Sequence, residues 1–544
     1  MWPKFKNFYL ALFSGVLLFS AWYGQMQILI FFGFVPLLWI EHIISSSSAP
    51  KRKLRVFAVS YIAFLTWNVG VTWWIICVQF GKGGAVMAWV ANALLMAIVF
   101  LIFSNIKKRI GKSWAVWLLI PLWLAWEYLH SVWDLAWIWL SLGNVFAYQH
   151  NWIQWYEFTG VSGGSLWILA VNIFVFTLIR DYSKGFNTKK ITGALALIVV
   201  PIALSYLILA IEKPLNESGK KFETVVVQPN IDPYNEKFAD DYQSQFLKAM
   251  RMIKGQLSEK TEYLVLPETF ITGAESVYGI NEGNVDSAIE VKWFRDSLIR
   301  KYPQLKIVVG ASSFFVYKDE KSASVTARKH QSGVYFDCYN TAMQIDREQV
   351  QLYHKSKLVP GVEKMPFPRL MKPLENLAID MGGTSGSLGV QEDRMSFSDK
   401  KDNVGVAPVV CYESVFSDYV TEYIRKGASF IFIITNDGWW SDSPGFVDHL
   451  NYARLRAIEN RRQIARSANT GVSCFMDEFG NIYQPTKFWT EAVIRQEIVP
   501  NTELTFFSRF GDIISYSAVI ISVLLLLFSL FLWFKNRNSR GEKK

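Results

Sequence analysis

Residues 406–413 read Val-Ala-Pro-Val-Val-Cys-Tyr-Glu, an apolar run that stops at Cys411 and passes at once to Tyr412 and Glu413. A short β-branched run closed by a reactive side chain is how a buried strand delivers chemistry to the rim of a sheet. Two other segments have the same form. Tyr263-Leu264-Val265-Leu266-Pro267 delivers Glu268, and Tyr353-His354-Lys355-Ser356-Lys357-Leu358-Val359-Pro360 presents Lys355. Taken singly, each has a plainer reading: a solvated rim glutamate, a surface lysine, a packed cysteine. Together they set a carboxylate, an ammonium and a thiol at the ends of three elements.

Around these segments, residues 223 to 499 alternate β-rich runs with polar, helix-like stretches, the pattern of an α/β domain. Strands are predicted at Thr224–Ile231, Tyr263–Pro267, Lys306–Ser312, Thr341–Ile345, Val406–Cys411 and Phe430–Thr435. Helices are predicted at Asp240–Glu259, Glu290–Lys301, Phe416–Lys426 and Val447–Ser467.

Outside this domain the chain is not water-soluble in character. Of its 544 residues 51% are hydrophobic, with 22 Trp, 40 Phe and 23 Tyr gathered in the first 210 positions and the last 35. A helix crosses ~30 Å of hydrocarbon with about 20 apolar residues. Runs of about that length occur at Phe8–Tyr23, Met26–Ile44, Val56–Val78, Ala85–Ile106, Trp114–Leu129, Gly164–Ile179 and Ile191–Ile211, and an eighth at Ile513–Phe534. The expected organisation is therefore seven membrane helices over 1–211, an α/β domain over 212–510, and a last helix with a basic tail over 511–544.

The net charge of +10 does not point to nucleic acid, because the basic residues sit in short clusters between apolar runs. Lys4 and Lys6, then Lys51 to Arg55, Lys107 to Lys112 and Arg180 to Lys190 fall in alternate loops, while the intervening loops are poor in Lys and Arg. Positive loops stay in the cytoplasm. Both termini are accordingly expected inside and the α/β domain outside. Trp133, Trp137, Trp139, Trp152 and Trp155, in the loop after the fifth run, suit anchoring at the lipid headgroups. The four cysteines, Cys77, Cys338, Cys411 and Cys474, show no metal-site spacing, and neither metal nor cofactor is expected.

In chain order Glu268, Lys355 and Cys411 resemble the Glu-Lys-Cys triad of the carbon-nitrogen hydrolase (nitrilase) superfamily. Val227-Gln228-Pro229-Asn230-Ile231 is similar to that superfamily's first strand. Thr435-Asn436-Asp437-Gly438-Trp439-Trp440, then His449, Arg454, Ala457, Glu459 and Ala468-Asn469-Thr470-Gly471, are similar to its post-nucleophile region. The resemblance implies a four-layer αββα sandwich. Set between seven membrane helices and one more, the pattern resembles the apolipoprotein N-acyltransferase family over essentially the whole chain. Two departures stand out: Pro360-Gly361-Val362-Glu363 replaces the usual Pro-Phe-Gly-Glu, and Lys357 stands where His is common. Phe238 is aligned with an aromatic that follows the first strand in many members.

The resemblance implies a phospholipid acyl donor, a diacylglyceryl apolipoprotein acceptor and a place in the bacterial inner membrane. Cys411 would be the nucleophile and Glu268 the proton carrier. Lys355 and the Tyr412 amide would stabilise the oxyanion, with Glu363 and Glu413 as accessory carboxylates. Residues Met365 to Ile379 are apolar enough to act as a lid over a water-sensitive thioester. The rival reading is a membrane-tethered amidase using the same triad.

Overall fold

The computed structural model describes residues 2–541 except 48–49, 79–81, 185–187, 216–218, 238–241, 274–275, 277, 366, 368–386 and 400–401. The chain divides into two compact units: Met1–Trp73 with Gly83–Ile211 and Phe510–Lys544, and Trp74–Lys82 with Glu212–Arg509.

The first unit is helical. Helices α1 (Trp2–Ser20), α2 (Val35–Ser46), α3 (Arg52–Thr72), α4 (Lys82–Ile110), α5 (Leu119–Val132), α6 (Tyr156–Asp181) and α7 (Thr188–Ile211) precede the catalytic sequence. A last long helix follows it at Ile513–Gly541. Among the described residues seven helical segments are long and apolar enough to cross a membrane, and the first apolar helix, Lys6–Ser20, is shorter. Backbone and side-chain polar groups away from water need partners inside the protein. Asn172 of α6 supplies them between helices: its Nδ2 donates to the Ile30 carbonyl at 2.9 Å and its Oδ1 accepts from the Phe34 N–H at 2.8 Å. Glu41 of α2 is likewise held by Ser104 Oγ at 2.6 Å and by Lys107. In the tryptophan-rich loop Trp133, Trp137 and Trp152 are partly exposed. Trp139 and Trp155 are buried, Trp155 packs edge-on against Trp167 of α6 at 5.7 Å, and the loop includes a 3-10 segment, Leu142–Trp152.

The second unit holds two sheets. The first contains β1 (Phe222–Gln228), β2 (Thr261–Val265), β3 (Ile280–Asn281), β4 (Lys306–Val316), β5 (Arg328–Lys329), β6 (Tyr335–Ile345) and β7 (Val350–His354). The second contains β8 (Phe397–Asp399), β9 (Val404–Val410), β10 (Ala428–Thr435), β11 (Ile464–Ala468), β12 (Cys474–Met476) and β13 (Ile482–Tyr483). The chain then returns to the first sheet as β14 (Ala492–Ile498), antiparallel to β1. In the centres β1, β2 and β4 run parallel, as do β9, β10 and β11.

Side chains on a strand alternate between faces, and the first sheet uses that alternation to face two cores. Val226, Tyr263, Val265 and Val308 pack against the second sheet, whereas Val225, Val227, Leu264, Leu266, Ile307 and Val309 pack on the helices α8 (Tyr242–Ile253) and α9 (Ile289–Phe294). Helices α10 (Ser417–Arg425) and α11 (Pro444–Asn460) cover the other side through Val420, Tyr423, Ile424, Leu450, Ala453 and Ala457. The order is α, β, β, α. Each buried Val, Leu or Ile contributes about 1.5–3 kcal/mol relative to exposure, which makes this double core the main stabiliser of the unit.

Several sequence boundaries need correction. The helix expected over Val447–Ser467 ends at Asn460, where Arg461 takes a left-handed φ of 47°, and the remaining residues form β11. Ile464–Ala468, with Arg466 and Ser467 inside it, is buried on both faces and so shows no alternation that would mark it as a strand. The helix expected to reach Lys301 gives way after Phe294 to a π turn, Arg295–Ile299. Strand β6 begins at Tyr335, six residues before the expected Thr341.

Candidate active site

Glu268, Lys355 and Cys411 each lie just beyond the C-terminal end of a strand, β2, β7 and β9 respectively. Strand ends are where backbone pairing stops and side chains turn toward a shared pocket. Glu268 is buried. Its Oε1 accepts from Lys355 Nζ at 2.9 Å and from Asn340 Nδ2 at 2.8 Å. Lys355 Nζ also donates to Glu363 Oε1 at 2.8 Å, and Asn340 Nδ2 reaches the same oxygen at 3.1 Å. One ammonium and one amide therefore bridge two carboxylates. The Glu268 backbone passes so close to Gly310 of β4 that a Cβ there would meet Glu268 Cα at 2.5 Å and Thr269 N at 2.4 Å. Only glycine lets the two segments approach this closely.

Cys411 opens a short 3-10 turn, Cys411–Val415, with φ 47°, a conformation that costs a non-glycine residue of order 1–3 kcal/mol. Surrounding bonds hold it there. Ser414 Oγ donates to the Cys411 carbonyl at 2.8 Å, and His449 Nε2 lies 3.1 Å from the same oxygen and 2.8 Å from Ser414 Oγ. His449 Nδ1 pairs with Asp437 Oδ1 at 2.9 Å, and Arg466 donates to Asp437 Oδ2 at 2.8 Å. Arg456 of α11 donates to the Val415 carbonyl at 2.8 Å and to Glu459 Oε1 at 2.9 Å. The sequence stretch after the nucleophile thus forms the bed under the turn.

Glu413 does not lie against Lys355 as an orienting carboxylate would. Its Oε1 accepts from the hydroxyls of Tyr353 and Tyr419 and from the Ser356 N–H, each at 2.8 Å. Its Oε2 accepts from the Val410 N–H at 2.9 Å and Tyr423 hydroxyl at 3.1 Å. It ties the strand before Cys411 to the residue after Lys355. Tyr412 is buried, with its ring edge-on to Phe416 at 5.0 Å. Lys357 lies over the Phe416 ring at 4.7 Å, and burial pulls its pKa to about 8.

Charge in the pocket is unequally placed. Burial raises the Glu268 carboxyl, but the ammoniums of Lys355 and Lys237 and the bonds from Lys355 and Asn340 outweigh it and hold its pKa below the ordinary value. Burial opposes the charge on Lys355, and Glu268, Glu363 and Cys411 overcome that, leaving it firmly protonated. Burial, then the neighbouring Glu268 carboxylate, push the Cys411 thiol well up, with Lys355 opposing them. At rest the site is thiol, carboxylate and ammonium.

Asn340 and Lys237 were not singled out from sequence. Asn340 is a polar residue inside β6, the one available signal; Lys237 has none, since it sits in an irregular turn after β1. Phe238 and, apart from Met365 and Phe367, the proposed lid lie outside the described residues. Among the described residues no group of three or more His, Cys, Asp or Glu is arranged to hold a metal. All four cysteines are free.

A two-sheet αββα sandwich with a buried thiol, carboxylate and ammonium at its strand ends is the architecture of a carbon-nitrogen hydrolase, and residues 225–503 match the carbon-nitrogen hydrolase family model. Residues 14–174 match the apolipoprotein N-acyltransferase N-terminal domain. The chain is 30% identical over 536 residues to the apolipoprotein N-acyltransferase of Chlorobaculum tepidum, covering 96% of each chain. It is 25% identical over 535 residues to that of Geobacter metallireducens, covering 94% of this chain and 93% of the other. A crystal structure of a carbon-nitrogen hydrolase from Helicobacter pylori G27 aligns at 12% identity and a TM-score of 0.35, covering 53% of this chain and 92% of that one. The chain belongs to the apolipoprotein N-acyltransferase family.

Proposed function

We propose that this protein moves an acyl chain from a membrane phospholipid, through a thioester on Cys411, to the N-terminal amine of a diacylglyceryl-cysteine on an apolipoprotein. The observation that carries the reading is the buried Glu268–Lys355 pair, 2.9 Å apart, at strand ends that also carry Cys411. As Cys411 Sγ attacks the ester carbonyl, its proton passes to Glu268, and the tetrahedral oxyanion is met by Lys355 and the Tyr412 N–H. Collapse expels the lysophospholipid alkoxide, which takes the proton back from Glu268. The acceptor amine then attacks the thioester, Glu268 receives its proton, and the thiolate leaves and is reprotonated. Glu363 orients Lys355, and Glu413 braces the two strand ends.

The helices of α1–α7 and Ile513–Gly541 tether residues 212–510 to the inner membrane, where both lipid substrates diffuse. The alternating basic loops support an extracytoplasmic reaction domain and cytoplasmic termini.

The test is a half-reaction. With phospholipid alone, the purified protein should release one lysophospholipid per site, gain an acyl-sized mass on the Cys411 peptide, and stall. A diacylglyceryl peptide with a free N-terminal Cys amine should discharge the acyl group; Cys411→Ala should do neither. Continuous fatty-acid release without acceptor would mean hydrolysis and overturn the transferase reading.

A further inference from the structure

A second buried ammonium faces the same pocket. Lys237 is held in the turn after β1 by its N–H to the Asp232 carbonyl at 2.9 Å and by Gln245 Nε2 donating to its own carbonyl at 3.0 Å. Its side chain is 3% exposed, and Nζ donates to the main-chain oxygen of Glu268 at 3.0 Å. A buried ammonium pays for lost hydration, which an apolar residue of similar length would not, so its presence calls for something negative to face. Burial lowers its pKa to about 8, Glu268 and Cys411 act in the opposite direction, and Lys355 adds repulsion. Among the described residues these three are the charged or titratable groups that act on it, and two of them carry or acquire negative charge during the reaction.

We propose that Lys237 is a positioning residue of the acyl transfer, fixing the Glu268 main chain through its hydrogen bond and placing a second positive charge toward the anionic Glu268 and the developing Cys411 thiolate. This rests on Cys411 being the nucleophile proposed above. It also divides labour between the two lysines: Lys355 bonds the carboxylates directly, whereas Lys237 acts through the Glu268 backbone and through space.

The test reads the thiol itself, without phospholipid. Full-length wild type, Lys237→Gln and Lys237→Arg are alkylated with iodoacetamide from pH 6 to 10, and the Cys411 peptide is quantified by mass spectrometry. Gln keeps an N–H donor for the Glu268 carbonyl but no charge; Arg keeps the charge. The Gln variant should shift the profile up by about one pH unit, which is about tenfold slower alkylation below the midpoint. The Arg variant should stay within about twofold of wild type below pH 8. Coincident Gln and wild-type profiles, or equal shifts in Gln and Arg, would overturn the charge role. Should the Gln variant fail to fold, Lys237→Met, of similar length and without charge, takes its place: its alkylation should be about tenfold slower than wild type below the midpoint, and a profile coincident with wild type overturns the proposal. A shifted profile in a protein that transfers no acyl group would instead remove the transferase reading and leave Lys237 in place.

Discussion

Glu268 and Glu413 are both buried carboxylates within a few residues of a strand end, yet their surroundings differ in kind. Glu268 shares one oxygen between an ammonium and an amide and stands beside a thiol whose ionisation it opposes. Glu413 accepts from three tyrosine hydroxyls and from the Val410 and Ser356 amides, so both oxygens are committed to neutral donors. A carboxylate that must take and return a proton needs a reacting partner and a balancing charge. One saturated by fixed donors braces the backbone instead. The difference teaches that burial alone does not mark a base; the character of the donors does.

The sharpest way to break this contrast is Glu268→Gln. Turnover should fall about 10³-fold, within the range for loss of a general base, and the melting temperature should fall as well, because buried Lys355 loses one of its two carboxylate partners. In the wild type, the folded Glu268 pKa lies below the ordinary ~4.3 of the unfolded chain. Its contribution to stability is thus fully present above about pH 4.3 and is lost as pH falls through the depressed folded value. The acid limb of kcat/KM should likewise fall below pH 4.3, and a limb at 5 or above would contradict the assignment.

Lys355→Met should cost on the order of 10²-fold in kcat, the effect of losing one oxyanion donor, with phospholipid binding by the purified protein unchanged. A parallel loss of binding would make Lys355 a structural lysine. The smallest effect on rate is expected from Glu413→Gln, about tenfold or less. That variant turns an amide NH₂ toward donors and should lose about 1–3 kcal/mol of stability, read as a lower melting temperature. If it instead abolished turnover at unchanged melting temperature, Glu413 would belong in the reaction and the contrast would collapse.

Apolar runs show a second side of the same point. Helix α7 (Thr188–Ile211) and strand β10 (Ala428–Thr435) are both largely apolar, but every residue of β10 is buried whereas Leu195, Val199, Val200, Leu204 and Leu207 of α7 are exposed. Length separated them in the sequence, since about 20 apolar residues mean lipid and about eight mean a strand within a core. Length did not separate β11 from the helix before it, because a run buried on both faces has no periodicity to read.

Glu268 and Cys411 stood out in the sequence because each follows an apolar run, Lys355 only in company with them, and the membrane helices because length and basic loops encode them. The sequence alone settled fold class and family. Only tertiary structure decided which groups meet. It brought Asn340 of β6 and Lys237 of a distant turn to Glu268, and set His449, Asp437 and Ser414 beneath the left-handed Cys411. It also turned Glu413 away from Lys355 toward the tyrosines. The physical reason is that a strand's pattern fixes which face a residue takes, whereas hydrogen-bond partners across 30 to 100 residues depend on how sheets and loops pack.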